Sequence, residues 1–178
     1  MTAVWRPEAV RPPKLARVSD RTPENRLRQG LVLLLGAVAF VAVVGTEPAD
    51  FYYVPLGLGV VYLASALAGG RQGAYWATAV VLVGFGAAVV FARKARPDLD
   101  VAGLYLLGTG LGATAGLLLA RRGFAVDPLG ATATIALAGA ILAFQPQWPS
   151  VLGDARPYGL LVGLVGLANA VAGGIARR

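Results

Sequence analysis

Six long apolar segments, separated by short polar breaks, follow one another along the chain. They cover about residues 27–45, 51–69, 74–92, 101–120, 128–144 and 157–176. Each is close to the roughly 20 residues that an α-helix needs to cross a bilayer. Short breaks place successive helices side by side and antiparallel. The pattern predicts an all-α integral membrane protein, a six-helix transmembrane bundle of three antiparallel hairpins.

The chain divides into two regions. Residues 1–29 carry four prolines and much of the basic charge, and they predict a cytoplasmic tail that becomes helical near Glu24. Residues 30–178 form the predicted six-span transmembrane domain. A cleaved signal peptide is the alternative for the first apolar segment. The long basic leader and the further apolar segments argue against it.

The composition agrees with a bilayer environment. The 178 residues are 57% hydrophobic and only 14% charged, whereas soluble domains are about 25% charged. Lysine is rare among the basic residues, and Ala, Gly and Val abound, which indicates a bacterial genome of high GC content. The predicted location is the bacterial cytoplasmic (inner) membrane.

Basic residues are distributed unevenly between the two sides. With six spans, twelve of the sixteen Lys and Arg residues fall on one side, including those of the tail. Cytoplasmic loops are rich in Lys and Arg, so both termini are predicted to be cytoplasmic. The exception is the group Arg93, Lys94 and Arg96, which falls on the other side. The basic tail is predicted to contact anionic lipid rather than nucleic acid.

The side chains that carry most enzyme chemistry are missing. The chain has no Cys and no His, which excludes thiol nucleophiles, imidazole catalysis and the usual zinc or haem ligands. We therefore predict no catalytic, cofactor-binding or metal-binding residue and no enzymatic activity. Five carboxylates lie in the predicted outer loops, and we interpret them as helix caps and solvated residues. The alternative is that they form a cation site or the acid–base pair of a membrane enzyme. They are Glu47, Asp50, Asp98, Asp100 and Asp154.

Small residues recur at four-residue spacing on two predicted helices. This spacing places glycines on one helix face, where another helix can approach closely. The predicted role is packing inside the bundle, and the alternative is a face for a membrane-protein partner or a homo-oligomer. The fourth segment has Gly108, Gly112 and Gly116, and the sixth has two such runs, Gly159 with Gly163 and Gly166 with Ala170 and Gly174.

Asn169 is an amide at about mid to inner depth of the sixth predicted span. An unpaired amide in hydrocarbon is costly, so Asn169 is predicted to form a hydrogen bond across helices. Apart from Arg28 at the edge of the first segment, no Asp, Glu, Lys or Arg lies inside a predicted span, which argues against an ion-coupled carrier.

Two functions remain open from the sequence. The first is a non-enzymatic accessory or scaffold subunit of a cytoplasmic-membrane complex. The alternative is a small permease, channel or flippase-like transporter for an apolar or lipidic solute, which needs few buried charges.

Overall fold

The computed structural model describes residues 22–46, 51–95, 100–144 and 154–176, and these form six α-helices and no strand. The first helix begins at Pro23, one residue before Glu24, near which the tail is predicted to become helical. The other helices follow the predicted segments closely. They are α1 (Pro23–Thr46), α2 (Val54–Ala68), α3 (Trp76–Ala95), α4 (Val101–Arg121), α5 (Pro128–Phe144) and α6 (Arg156–Ile175).

The helix starts are set by local sequence. Asp100 caps α4, because its Oδ2 accepts a hydrogen bond from the Gly103 amide at 2.6 Å. Asp127 Oδ1 accepts from the Leu129 amide at 3.0 Å, and Pro128 follows as the first residue of α5. Pro157 lies in the first turn of α6. These caps determine where the polar breaks become helices.

Five helices lie in a row of packed neighbours, in the order α6, α1, α2, α3, α4, and α5 lies against α3. The contact between α1 and α6 is the most extensive. Glycines allow it: a Cβ added at Gly30 would lie 2.5 Å from the Ala170 amide nitrogen and 2.7 Å from the Gly166 oxygen. The largest contact in the bundle thus joins its first and last helices.

The predicted arrangement of three hairpins is not confirmed. The pairs α1 with α2 and α3 with α4 do pack together. Among the described residues, α5 and α6 are not one of the main packed pairs, since α6 lies against α1 and α5 against α3. Connection along the chain predicted the third pair, whereas the glycine contacts of α6 favour α1 as its neighbour.

Five of the described helical segments are long and apolar enough to cross a membrane: Pro23–Val43, Phe51–Ala68, Trp76–Ala95, Val101–Arg121 and Arg156–Ile175. The second of these includes a short 3-10 turn, Phe51–Tyr53, ahead of α2. The helix α5 is shorter, with an apolar stretch over Pro128–Leu142. At about 1.5 Å per residue, its 17 residues rise about 26 Å.

The helix directions alternate, so the loops gather at two ends. The end called here the basic end holds the start of α1, the turn after α2 and the turn after α4. Ala125 donates its amide hydrogen to the Arg71 oxygen at 2.8 Å, and the Arg71 guanidinium lies 5.6 Å from the Phe124 ring centroid. The opposite end holds Phe51–Tyr53, Lys94 and the start of α6.

Candidate ligand-binding cavity

A cavity of about 1140 Å³ lies between α2, α3, α5 and α6. It is larger than most small-molecule sites, which span roughly 300–1,000 Å³. It occupies the position where the third hairpin was predicted to be packed. The separation of α5 from α6 therefore creates the space.

The long walls of the cavity are apolar. On α3 they run from Thr78 to Ala92, a rise of about 21 Å at roughly 1.5 Å per residue. Most of the wall residues are aliphatic or small. On α5 the lining residues recur at three- and four-residue spacing, so one face of the helix borders the cavity. They are Gly130, Ala133, Thr134, Leu137, Ala138, Ile141 and Leu142.

The basic end of the cavity is polar but uncharged among the described lining residues. The rings of Tyr62 and Tyr75 lie with centroids 5.4 Å apart. The Thr134 hydroxyl donates to the Gly130 oxygen at 2.6 Å and lies 3.3 Å from the Thr78 hydroxyl. These hydroxyl groups place hydrogen-bonding capacity at one end of a long apolar space.

Tyr75 has an uncommon backbone conformation. Its φ is +74°, in the left-handed region that residues with a side chain adopt rarely. Such a conformation costs on the order of 1–3 kcal/mol and persists only where the surroundings hold it. Here the Gln29 side chain bonds both the amide and the carbonyl of the preceding residue, Ala74. The geometry directs the Tyr75 ring to the cavity, which it lines.

The opposite end of the cavity is aromatic and cationic. Lys94 Nζ lies 5.9 Å from the Tyr52 ring centroid and 5.7 Å from that of Tyr53, within reach of a cation–π interaction. Arg93 also lines this end and is exposed, as is Lys94. The Tyr158 ring contacts Phe51 with centroids 5.9 Å apart. No described lining residue is acidic, so the charges of this end are positive.

The glycines singled out in the sequence lie away from the cavity, at helix contacts. Gly108 and Gly112 face α3, and Gly159 faces α1, where a Cβ would lie 2.5 Å from a methyl of Val41. Gly163 faces Ala37, Gly166 faces Leu34, and Gly116 has Val80 and Val126 as its nearest neighbours. Whether the packing at these glycines determines stability stays a prediction.

The described carboxylates of the predicted outer loops accept hydrogen bonds from backbone amides at nearby helix starts. Asp100 caps α4, and Asp154 Oδ1 accepts a hydrogen bond from the Arg156 amide at 3.0 Å. Glu47, Asp50 and Asp98 lie outside the described residues. Within the described part of the chain, no three acidic residues come together in a group that could hold a metal ion.

Asn169 joins α6 to the segment before α3. Its Nδ2 donates to the Tyr75 hydroxyl at 2.6 Å and to the Val165 oxygen at 2.8 Å. The amide thus positions a residue of the cavity wall, a role that the sequence did not reveal because the partner is 94 positions away.

We expect Asn169→Leu to lower stability, by about 1–2 kcal/mol, because a hydrogen bond between helices in a membrane contributes this much at most. Thermal unfolding in detergent measures the effect. Thr114→Val is the control, since the Thr114 hydroxyl bonds the Gly110 oxygen of its own helix and needs no partner elsewhere. Equal melting of the two variants would argue against a structural role for the Asn169–Tyr75 bond.

Sequence reasoning missed the cavity itself and the buried Gln29. The signal for the first was present on α5, whose small and aliphatic residues at three- and four-residue spacing form a helix face without an aromatic side chain. In comparisons with protein families, curated proteins and solved structures, nothing matches the chain.

Proposed function

We propose that this chain is a multi-pass membrane protein that binds a lipid-like, amphipathic molecule in the cavity and moves it as a small permease or flippase does. The observation that carries the proposal is the cavity of about 1140 Å³ with long apolar walls and polar ends. The hydrocarbon core of a bilayer is about 30 Å thick, and each leaflet contributes half of it. The cavity, with a length of about 21 Å, is longer than the part contributed by one leaflet. An acyl chain fits these dimensions.

The outer surface of the bundle supports a membrane location. Large apolar side chains face outward along the described helices, including Leu35, Leu106 and Leu129, which are 71%, 75% and 78% exposed. Soluble monomers rarely expose apolar patches of this extent. Lipid tails are the surroundings that such a surface favours.

The orientation that we propose follows from charge. Arg26, Arg28, Arg71, Arg121 and Arg122 belong to the basic end. The positive-inside rule places that end in the cytoplasm, with both termini, and the composition favours the cytoplasmic membrane of a bacterium. The aromatic and cationic end of the cavity then faces the outer leaflet.

Entry from the side, between α5 and α6, suits a lipid solute. The helix α5 packs mainly against α3, where the Thr134 hydroxyl lies 3.3 Å from that of Thr78, and α5 and α6 are not one of the main packed pairs of helices. The middle turns of the described helices carry no acid or base other than tyrosine hydroxyls. Ion-coupled carriers usually need such groups. The proposed movement is therefore uncoupled.

Filling the cavity is the direct test. We expect Ala138→Trp, in the α5 face of the cavity, to reduce movement of a fluorescent lipid across proteoliposomes at least fivefold, because the indole occupies the path of the acyl chain. Ala140→Trp is the control, since Ala140 is exposed and does not line the cavity. Transport that is equal in both variants and in empty liposomes would contradict the proposal.

A second candidate is the accessory or scaffold subunit. The observation that favours it is the slight attachment of α5, which leaves room beside α6 for a helix of a partner. Affinity purification of the tagged protein in a mild detergent, with mass spectrometry, tests it. A stoichiometric membrane protein that is lost on Ala138→Trp supports this candidate. A clean monomer or homo-oligomer favours transport.

A further inference from the structure

The opposite end of the cavity carries two cations, of which Lys94 also contacts the rings of Tyr52 and Tyr53. Arg93 and Lys94 lie in the last turn of α3, and both are exposed and line the cavity. They also depart from the charge distribution of the chain, because most other basic residues belong to the basic end. Two cations on the sparsely charged side of the protein, beside a long apolar space, call for a separate explanation.

From this placement we propose that the cavity selects an acyl-chain anion, whose carboxylate or phosphate head lies against Arg93 and Lys94. The inference rests on the proposed function and adds the charge and the direction of the ligand. In the bound state the acyl chain extends along α5 toward Tyr75, and the anionic head lies at the end that holds Tyr52 and Tyr158.

The chemistry of this end fits an anion and not a zwitterion or a cation. A guanidinium and an ammonium supply charge-assisted hydrogen bonds to carboxylate or phosphate oxygens. The rings of Tyr52 and Tyr53 lie 5.9 Å and 5.7 Å from Lys94 Nζ and keep the ammonium at the end of the cavity. No described lining residue offers a carboxylate to a choline-type cation.

A plain structural role for Arg93 and Lys94 is the competing explanation. Cations in the last turn of a helix interact favourably with the helix dipole and with headgroups wherever they occur. Arg121 and Arg122 provide the comparison, since they lie at the end of α4, as its last residue and its C-cap, and do not line the cavity. Both pairs of cations can interact with the helix dipole and with headgroups, but only Arg93 and Lys94 border the proposed ligand.

The experiment measures equilibrium binding to the full-length purified protein in detergent. The probes are oleate, oleoyl lysophosphatidic acid and monoolein, which carry the same acyl chain with a carboxylate, a phosphate and an uncharged head. The variants are R93Q/K94Q, the control R121Q/R122Q and the cavity-filling Ala138→Trp.

We expect at least one of the two anions to bind at least tenfold more tightly than monoolein. R93Q/K94Q should remove that preference, R121Q/R122Q should keep it, and Ala138→Trp should weaken all binding. A preference for one anion identifies the carboxylate or the phosphate as the natural head. Raising the salt concentration should weaken only the anions, because exposed charges are screened.

Each of three results would refute a different part of the proposal. Equal binding of all three probes that Ala138→Trp abolishes refutes the anion preference and keeps the proposed cavity. An equal loss in R121Q/R122Q refutes a specific role for Arg93 and Lys94, since net charge then explains the effect. Binding that Ala138→Trp leaves unchanged refutes the cavity as the site and, with it, the proposed function.

Discussion

Replacing Gln29 by leucine is expected to lower the free energy of unfolding by about 2–4 kcal/mol. Gln29 is only 1% exposed, and its Nε2 donates to the Ser65 and Ala74 oxygens at 3.1 and 3.3 Å. Its Oε1 accepts from the Ala74 amide at 3.3 Å. A buried polar group that is left unpaired costs about 1–3 kcal/mol, and the substitution removes the side-chain partner of both polar groups of Ala74.

The substitution should also disturb the cavity, because Ala74 immediately precedes Tyr75. Without the Gln29 side chain, the hydrogen bonds that fix Ala74 are lost, and the positive φ of Tyr75 is expected to relax. The Tyr75 ring still has the Asn169 hydrogen bond and the apolar cluster that includes Leu33, so we expect it to shift within the cavity wall rather than leave it. Thermal unfolding in detergent, followed by tryptophan fluorescence, measures stability. Binding of a fluorescent lipid measures the cavity.

Gln72→Leu is the matched control. Gln72 is an exposed glutamine in the turn between α2 and α3, so its replacement introduces the same side chain into the same region without removing a buried hydrogen bond. Identical melting curves for the two variants would show that the Gln29 network contributes little. Loss of stability in Gln29→Leu alone would show that the hydrogen bonds of the Gln29 side chain cause the effect.

The positions of the helices follow from the sequence with few errors. Apolar length sets the extent of each helix, and residues such as Asp100 and Asp127 mark where two of them begin. The helix α1 begins at Pro23, beside Glu24, near which the sequence predicts that the tail becomes helical. A charged first turn is compatible with a helix whose end emerges from the apolar region.

The helix partners could not be predicted, since glycines show that a close contact exists but not which helix makes it. Gly30 and Gly166 belong to segments far apart in the chain, and only the fold brings them together. The cavity was hidden for the same reason: it depends on α6 packing with α1 instead of α5. In the sequence, Arg93 and Lys94 are visible only as an exception to the uneven distribution of basic residues between the two sides of the membrane.

A large steric effect is expected for Gly112→Leu. A Cβ at Gly112 would lie 2.5 Å from the Val80 oxygen and 2.9 Å from the Val81 Cα, both backbone atoms of α3. Backbone atoms cannot move aside as the end of a flexible side chain can, so α3 and α4 must separate. Overpacking of this kind costs about 1–3 kcal/mol in soluble cores, and a backbone clash belongs at the upper end of that range or beyond.

The same helix supplies the control for this prediction. Gly110 is exposed, and a Cβ added there meets no atom within 4 Å. Gly110→Leu and Gly112→Leu therefore share the gain in helix propensity, about 0.8–1 kcal/mol over glycine, and differ only in the contact with α3. We expect Gly110→Leu to melt like the parent protein or above it, and Gly112→Leu to melt well below it, by size-exclusion chromatography after heating.

Because α3 also forms the long wall of the cavity, the displacement caused by Gly112→Leu should reach the proposed ligand. Binding of the lipid probe should weaken together with stability, although Gly112 does not line the cavity. If only the oligomeric state changed, with melting and binding intact, the glycines of α4 would serve association between chains. Joint loss of stability and binding would place their role in the contact of α4 with α3.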